Sequence, residues 1–380
     1  MLTDLNAYGW NSHFHAQLAP DEPLTSVARV VQEHKEAYLV HVPAAGVLNV
    51  WAEISGKLRH SATVRSDFPA VGDWVIVRGM RAAPPTSAPP AASAGPLQIS
   101  RILPRHTVIS RRLDGKREGG GAGGDEQLLA VNVDVAFLGS SLNDNFNLRR
   151  LERYLALAHD AGVPPVVLLT KADLCQDPGP FIEQVRSIAP AAAVHAISVL
   201  TGAGLEHVRA QLTPGRTAVI LGSSGVGKST LVNHLADADV QDMMETREFD
   251  DKGRHCTTFR NLVRTPTGGL IIDTPGLRGL SLGEASDALA ATFADIEALA
   301  ATCKFTDCRH DSEPGCAIKA ALEAGTIDAA RFDSYLRLQR ELAAMSRREN
   351  RIIDRKQKKL DKKLSAAADK KEKRKWDHFR

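Results

Sequence analysis

The sequence predicts an α/β domain with a mostly parallel sheet, preceded by a small all-β barrel and followed by a cysteine-containing helical module. Three observations predict this architecture. Short runs rich in Val and Ile fill residues 25–113, strand-like and helix-like segments alternate over 127–284, and cysteines cluster within 285–345. With 380 residues the chain is long enough for two or three domains, and 346–380 form a basic tail.

The region at 25–113 has the pattern of a closed β-barrel. Five short strand-like runs separated by turn residues favour an OB-fold. We expect residues 1–24 to be a loosely ordered leader, and the Ala-, Pro- and Ser-rich stretch at 82–96 to be a loop insertion. The glycine-rich stretch at 114–126 has the composition of a flexible linker.

The region at 127–284 alternates apolar strands with helices. VDVAFLGS, VPPVVLLT and TAVILGS are apolar runs, and helices are expected over about 148–161, 181–189, 204–212 and 228–237. Such alternation predicts a mostly parallel sheet with helices on both faces.

A phosphate-binding loop follows the strand TAVIL. GSSGVGKS at 222–229 matches the pattern G-x-x-x-x-G-K-[ST], and the helix STLVNHL follows it. The glycines let backbone N–H groups turn inward around phosphate oxygens at a helix N-terminus. Lys228 would pair with the outer phosphates, and Ser229 would ligate Mg²⁺. The predicted nucleotide-contacting residues of this loop are Gly222, Ser223, Ser224, Gly225, Val226, Gly227, Lys228, Ser229 and Thr230.

An aspartate completes the predicted Mg²⁺ site. Asp273 opens the sequence DTPG after the apolar strand LII, as a Walker-B-type aspartate does. It can hold a water of the Mg²⁺ shell, while the amide of Gly276 can sense the γ-phosphate. D-x-x-G alone is a weak signal with a helix N-cap as its alternative. It gains weight from the strand before it and from the nearby phosphate loop.

The sequence TKAD at 170–173 predicts selection of guanine. It follows the strand VVLL and resembles the NKxD motif of GTPases. Asp173 can accept hydrogen bonds from the N1–H and exocyclic amine of guanine, while the stem of Lys171 covers the base. Adenine offers neither donor, so an unpaired carboxylate would disfavour it. Thr170 replaces the usual Asn and weakens one contact to the loop, and Ser198 fits the companion loop that contacts guanine through its backbone.

The order of these motifs is permuted. GTPases ordinarily place the phosphate loop first and the base-reading loops last, whereas here 170–173 and Ser198 precede 222–229 and Asp273. We therefore predict a circularly permuted P-loop GTPase, a rearrangement that leaves strand neighbours unchanged. The segment after DTPG leads directly into the C-terminal module, so nucleotide state can be transmitted to that module.

The C-terminal cysteines predict a zinc site. Three thiols and one imidazole with the spacing C-x4-C-x-H-x5-C can close a tetrahedral site, which leaves no position for water. We expect one structural Zn²⁺ that holds a module with little core of its own. Cys175 and Cys256 stand apart as ordinary small side chains. The predicted ligands are Cys303, Cys308, His310 and Cys316.

Composition and charge limit the compartment and the partners. No apolar run is long enough to span a membrane, the N-terminus lacks a signal-peptide pattern, and clustered cysteines suit a reducing compartment, so we expect a cytoplasmic protein. Residues 347–380 carry 15 Lys or Arg against 6 Asp or Glu, a net +9 that leaves −6 elsewhere, given the overall +3. Such a tail fits either a polyanionic partner or a solvated segment.

These motifs, taken together, resemble the RsgA family of GTPases that depend on the small ribosomal subunit. The matching stretches are FPAVGDWV at 68–75, ILPRHTVISRR at 102–112, NLRRLERYLALA at 147–158, GRHCTTFRNL at 253–262, the permuted motifs and the cysteine spacing. The resemblance implies an OB-fold, a permuted GTPase domain and a zinc domain that dock on the subunit and its rRNA late in maturation. It also implies hydrolysis of GTP to GDP that is slow alone and stimulated by that subunit.

The resemblance also assigns a switch segment. The family sequence GRHTTT corresponds to 253–258, where Cys256 departs from it and either Thr257 or Thr258 would sense Mg²⁺. Leu277 stands where Ras-like enzymes have a water-orienting Gln, and the family assigns that role to His255. The alternative is a switch histidine that makes only ribosomal contacts.

Three other functions are also compatible with parts of the sequence. A P-loop ATPase or kinase is disfavoured by TKAD, and a non-enzymatic RNA-binding module is compatible with the barrel, zinc module and tail. A GTPase that acts on a different ribonucleoprotein differs only in its partner. We expect a monomer, because the sequence contains no heptad seam.

Overall fold

The computed structural model describes residues 2–34, 37–79, 96–112, 126–143, 145–236, 260–274, 292–305, 308–310 and 313–340. Nearly all of the predicted insertion at 82–96, most of the glycine-rich linker, the switch segment and the whole basic tail lie outside these ranges. Within them, no helix is both long and apolar enough to cross a membrane.

The N-terminal domain is a closed five-stranded barrel. Its strands pair in the order β1-β2-β3-β5-β4, and pairing of β4 with β1 closes the ring. All of these pairs are antiparallel except β3 with β5. This arrangement confirms the predicted OB-fold. The strands are β1 Val27–Glu33, β2 Tyr38–Val42, β3 Val47–Ile54, β4 Trp74–Arg78 and β5 Leu97–Ile102, with helix α3 Gly56–Ser61 after β3.

The N-terminal segment is ordered, which corrects the expectation of a loosely ordered leader at 1–24. Helices α1 Leu2–Ala7 and α2 Ser12–His15 lie on the barrel. Trp10 is 4% exposed and packs edge-on against Trp74 of β4, with ring centroids 4.9 Å apart. Burial of aromatic surface therefore holds this segment in place.

The barrel ends earlier than the predicted residue 113. Strand β6, Val108–Arg112, pairs instead with β7, Glu126–Val131, in a separate antiparallel ribbon. Pro104 interrupts the chain after β5, and proline cannot donate to a strand ladder. The next residue, Arg105, forms an ion pair of 2.8 Å with the fully buried Asp73, which ties this connection back to the barrel.

The central domain is a mostly parallel sheet with the strand order β10-β9-β8-β11-β13-β12. All neighbours are parallel except the antiparallel pair β12 and β13. Each predicted helix is present to within two residues at either end. The elements are β8 Val135–Ser141, α4 Leu148–Asp160, β9 Pro165–Thr170, α5 Gly179–Ile188, β10 Ala193–Ala196, α6 Leu205–Gln211, β11 Thr217–Gly222, α7 Lys228–Leu235, β12 Asn261–Arg264 and β13 Leu270–Asp273.

The barrel and the central sheet are joined. β1 pairs with β12 at Gln32 and Asn261, so that eleven strands form one sheet. The buried guanidinium of Arg29 donates to the hydroxyl of Thr217 at 3.0 Å. Its charge lies 5.3 Å from the Trp74 ring centroid, and burial lowers its pKa to about 10. Val31, Leu39 and Val71 of the N-terminal domain also belong to the same core cluster as the central domain, so the two domains share a core.

The described part of the C-terminal module includes the helices α8 Ala294–Ala300, α9 Ala317–Glu323 and α10 over 329–340. Its apolar side chains belong to the same core cluster as α4 of the central domain. Phe332 and Tyr335, which are three residues apart on one face of α10, are buried.

Candidate nucleotide site and metal centre

The predicted phosphate loop connects β11 to α7. Gly225 and Gly227 have φ angles of +79° and +97°, which other residues rarely adopt. A Cβ on Gly222 would lie 2.8 Å from Cγ1 of Val226, so glycine is required there for space. Ser224 and Gly225 are exposed at the tip of the loop, and Ser229 and Thr230 lie in the first turn of α7.

Lys228 and Asp273 form the charged floor of this site. The Lys228 ammonium donates to the carbonyl oxygens of Gly222 and Ser223, at 2.9 Å each. Burial lowers the pKa of Lys228, and the charge of Asp273 opposes that shift. For the buried Asp273, burial raises the pKa to about 6 against the opposing charge of Lys228.

The Asp273 carboxylate is available for a further ligand. Among the residues that the structure describes, neither of its oxygens has a partner at full hydrogen-bond geometry. The Ser229 hydroxyl and the Thr274 backbone are near enough to lower its pKa. A buried carboxylate beside a hydroxyl is a set of hard oxygen donors, which suits Mg²⁺. These residues therefore fit the predicted metal.

The predicted base-reading residues reach the same edge of the sheet. Thr170 ends β9, and its hydroxyl donates a buried 2.6 Å hydrogen bond to the carbonyl of Val226 in the phosphate loop. Lys171 follows in the left-handed region, with φ of +58°. Thr170 therefore links the two loops directly, although it replaces the asparagine of the usual motif.

Ser198 orients Asp173. The Ser198 hydroxyl donates to Oδ1 of Asp173 at 2.5 Å, and the backbone N–H of Thr201 donates to that hydroxyl at 3.2 Å. The N–H of Ala172 also donates to the carbonyl of Ile197 at 3.1 Å. The Asp173 side chain is held at one oxygen, which leaves the other to accept from a ligand. The sequence predicted a backbone role for Ser198 and did not predict this side-chain contact.

Two further residues at this edge were not predicted from the sequence. The side chains of Asn145 and Arg150 both donate to the hydroxyl of Ser223, at 3.2 and 3.0 Å. Asn145 lies just before α4 and Arg150 lies in its first turn. Both follow β8, which neighbours the strand β11 that leads into the phosphate loop. Only the strand order reveals this proximity, because no short motif links residue 150 to residue 223.

The predicted metal ligands form one cluster. Their four ligand atoms all lie within 4.8 Å of one another. Nδ1 of His310 is 3.6 Å from the sulfur of Cys303 and 3.5 Å from that of Cys316. Tetrahedral bonds of about 2.3 Å to sulfur and about 2.0 Å to nitrogen separate such atoms by about 3.6 Å. Cys308 completes the cluster within the same 4.8 Å limit, and Cys303, His310 and Cys316 already have separations close to those of a closed metal site.

Four predicted site residues cannot be placed. His255, Thr257, Thr258 and Gly276 lie outside the described residues, as does Cys256. Cys175 lies outside the metal cluster, as predicted.

A glycine-rich phosphate loop, an aspartate at the end of a neighbouring strand and base-reading loops earlier in the chain define a circularly permuted P-loop GTPase. The sequence profile described as RsgA GTPase matches residues 102–283. A small ribosomal subunit biogenesis GTPase RsgA from Opitutus terrae is 43% identical over 353 residues, covering 92% of this chain and 93% of its own. The small ribosomal subunit biogenesis GTPase RsgA 1 from Oceanobacillus iheyensis is 39% identical, covering 95% of this chain and 98% of its own. The chain belongs to the RsgA GTPase family.

Two solved structures share the fold. YjeQ from Thermotoga maritima aligns with a TM-score of 0.56 at 24% identity, over 84% of this chain and 98% of its own. YloQ, described as a circularly permuted GTPase, aligns with a TM-score of 0.54 at 23% identity, over 86% and 98%. Both confirm the predicted fold class.

Proposed function

We propose that this chain is a ribosome-associated GTPase that acts in late maturation of the small ribosomal subunit. The observation that carries the proposal is the hydrogen bond from Thr170 to the Val226 carbonyl, which joins the base-reading loop to the phosphate loop although the two are distant in the chain. The names of the relatives from Opitutus terrae and Oceanobacillus iheyensis support the partner.

Guanine selection rests on Asp173. Its free oxygen and the oxygen held by Ser198 together match the two donors that guanine presents. Lys171 covers the base with its aliphatic stem, and the loop at Ser198 contributes backbone contacts. The cost of leaving a carboxylate unpaired against adenine supplies the discrimination.

Phosphate binding rests on 222–230 and on Lys228. The ammonium already lies at the loop carbonyls of Gly222 and Ser223, where it can also donate to the β- and γ-phosphates. Ser229 and Asp273 would hold Mg²⁺, which would neutralise charge on the phosphate oxygens when bound. The amide of Gly276 and either Thr257 or Thr258 would report the γ-phosphate.

His255 is the proposed residue for orienting the attacking water. Leu277 cannot hydrogen-bond water, so another side chain must do so, and the family assigns this role to the switch histidine. The segment after Asp273 continues into the metal module, which supports transmission of nucleotide state to that module.

One structural Zn²⁺ per chain is the proposed occupant of the cysteine cluster. The thiols of Cys303 and Cys316 and the imidazole of His310 lie 3.5–4.0 Å apart, and all four ligand atoms lie within 4.8 Å of one another. Three thiols and one imidazole suit the softness and tetrahedral geometry that zinc prefers. The ion would stabilise the module without taking part in hydrolysis.

The proposed partner surface combines the OB-fold, the metal module and the basic tail at 346–380, which would bind rRNA largely through phosphate contacts. We further propose that the protein is cytoplasmic and monomeric. The small subunit would stimulate hydrolysis.

Phosphate release from GTP, with and without purified small ribosomal subunits and with ATP as control, tests the proposal. We expect strong stimulation that requires both GTP and the small subunit. His255→Ala should then lose most stimulated turnover and keep nucleotide affinity. GTP turnover that is indifferent to subunits would remove the proposed partner, and preference for ATP would contradict the guanine site.

A further inference from the structure

The first turn of helix α4 has been given no functional role above. The segment NLRRLE at 147–152 is part of one of the stretches that resemble the family. The Asn147 side chain caps the helix by accepting from the N–H of Arg150 at 3.0 Å. The two arginines that follow diverge, because Arg149 reaches the C-terminal module and Arg150 reaches the phosphate loop.

Arg150 contacts the loop through one nitrogen. Its Nη1 donates to the Ser223 hydroxyl at 3.0 Å and to Oδ1 of Asn145 at 2.9 Å. The Ser223 carbonyl in turn accepts from Lys228. No carboxylate pairs with Arg150 in the part of the chain that the structure describes. Both acceptors are neutral groups. The Arg150 guanidinium therefore holds Ser223 of the phosphate loop in place, and its positive charge stays beside that loop.

Two residues further along α4, Glu152 is fully buried against the C-terminal module. It accepts from Arg331 at 2.9 Å, from the Ser334 hydroxyl at 2.6 Å and from Arg149 at 3.1 Å. Arg331 also makes a two-point contact with Asp295 of α8, at 3.0 and 2.7 Å. A buried charge with this many partners holds α4 and the module in one relative position.

We propose that Arg150 is a positioning residue for the phosphate loop, and that α4 couples the position of this loop to the C-terminal module. One capped helix turn joins the Ser223 contact to the Glu152 contacts, so displacement at one end displaces the other. This route is separate from the segment after Asp273. The inference rests on the proposed role of 222–229 in phosphate binding, and coupling of this kind must be reciprocal.

The Arg150 end is tested with the full-length protein and no ribosomes, by the affinity of fluorescent GDP and by basal kcat and KM. Arg150→Ala should weaken GDP binding and raise KM by about tenfold, as loss of a charged hydrogen bond implies, with a smaller change in kcat. Arg150→Lys should recover part of the affinity, because an ammonium can still reach the Ser223 hydroxyl. Lower thermal stability in both variants with unchanged GDP affinity would overturn the proposal.

The coupling is tested by a double-mutant cycle between Arg150→Ala and Ser334→Ala. Ser334→Ala removes one hydrogen bond to Glu152, and we expect about threefold weaker GDP binding in the wild-type background and no further loss in Arg150→Ala. Asp333→Asn, at an exposed position of the same helix, is the matched control and should leave affinity unchanged. Equal effects of Ser334→Ala in both backgrounds, or none in either, would refute the coupling.

The test separates this inference from the proposed partner. If small subunits do not stimulate hydrolysis but the Arg150→Ala and Ser334→Ala effects are non-additive as predicted, the proposed partner is wrong and the coupling is supported. Stimulated hydrolysis in the wild type, together with additive variants, would remove the coupling alone.

Discussion

The metal cluster and the nucleotide site are built in opposite ways. The four metal ligands fall within residues 303–316, whereas the nucleotide site combines loops that follow Thr170, Ile197, Gly222 and β13. The first needs only a short loop and one helix start, and the second needs strands β9, β11 and β13 in their correct order. We therefore expect the geometry of the metal cluster to depend on its bound ion, and the geometry of the nucleotide site to depend on the folded sheet.

This difference predicts how far the structural effect of each loss extends. Loss of the ion should affect the C-terminal module and leave the sheet folded, because a structural metal contributes its binding energy to the segment it closes. Loss of a nucleotide-binding side chain should abolish function and leave every element in place. The carboxyl edge of the sheet is set by buried strands such as β8 and β11, which do not need the ligand to fold.

The largest expected effect is loss of a metal ligand. Cys316→Ala should abolish tight zinc binding, which provides an apparent ~10–16 kcal/mol in small zinc modules. Limited proteolysis should then cleave within 292–340 while the barrel and the central sheet stay intact. Cys175→Ala is the matched control and should retain one zinc per chain. Full zinc content in Cys316→Ala would show that the cluster is not the site.

A smaller effect is expected at the phosphate loop. Lys228→Ala should lower the rate of GTP hydrolysis by roughly 10²–10³-fold, as does removal of one preorganised donor to developing charge. Zinc content should be unchanged. Lys57→Ala, which changes an exposed lysine of α3, is the control for loss of charge. Retained hydrolysis in Lys228→Ala would contradict the role of the loop.

The smallest effect concerns stability. Because burial raises the pKa of Asp273 to about 6 from 3.8, its ionised form destabilises the nucleotide-free protein. This loss of folding free energy grows as pH rises from about 3.8 to about 6 and is constant above about 6, because the native state stays protonated to a higher pH than the unfolded state. Asp273→Asn should therefore be more stable by ~1–3 kcal/mol at neutral pH, with no hydrolysis.

Urea unfolding across this pH range measures the effect. The advantage of Asp273→Asn should shrink towards acid pH, and addition of Mg²⁺ with GDP should favour the wild type instead. A variant less stable than the wild type at neutral pH without nucleotide would show that the carboxylate already has a stabilising partner.

The sequence was sufficient where a feature is local. The phosphate loop, TKAD and the cysteine spacing each lie within a short segment, and the strand–helix alternation predicted the central sheet. The five barrel strands were also predicted, because each is a short apolar run with turn residues around it. Chain order alone showed the permutation, since the motifs themselves are the usual ones.

Features that depend on distant contacts were missed. Nothing within residues 1–24 reveals that Trp10 packs on Trp74 of a distant strand. The β6–β7 ribbon joins strands on either side of a glycine-rich stretch, which hides their pairing. Arg150 and Asn145 reach Ser223 only because β8 lies beside β11.

The central claim is that one site takes its base-reading group from Asp173 and its phosphate-binding group from Lys228, in the reverse of the usual chain order. Asp173→Asn tests it most directly, by hydrolysis of GTP and of xanthosine triphosphate. Xanthine carries a carbonyl in place of the exocyclic amine of guanine, and the Asn amide can donate to it. We expect GTP turnover at low nucleotide to fall by roughly 10²–10³-fold and xanthosine triphosphate to become the better substrate, with Asp177→Asn unchanged. Undiminished preference for GTP in Asp173→Asn would contradict the account.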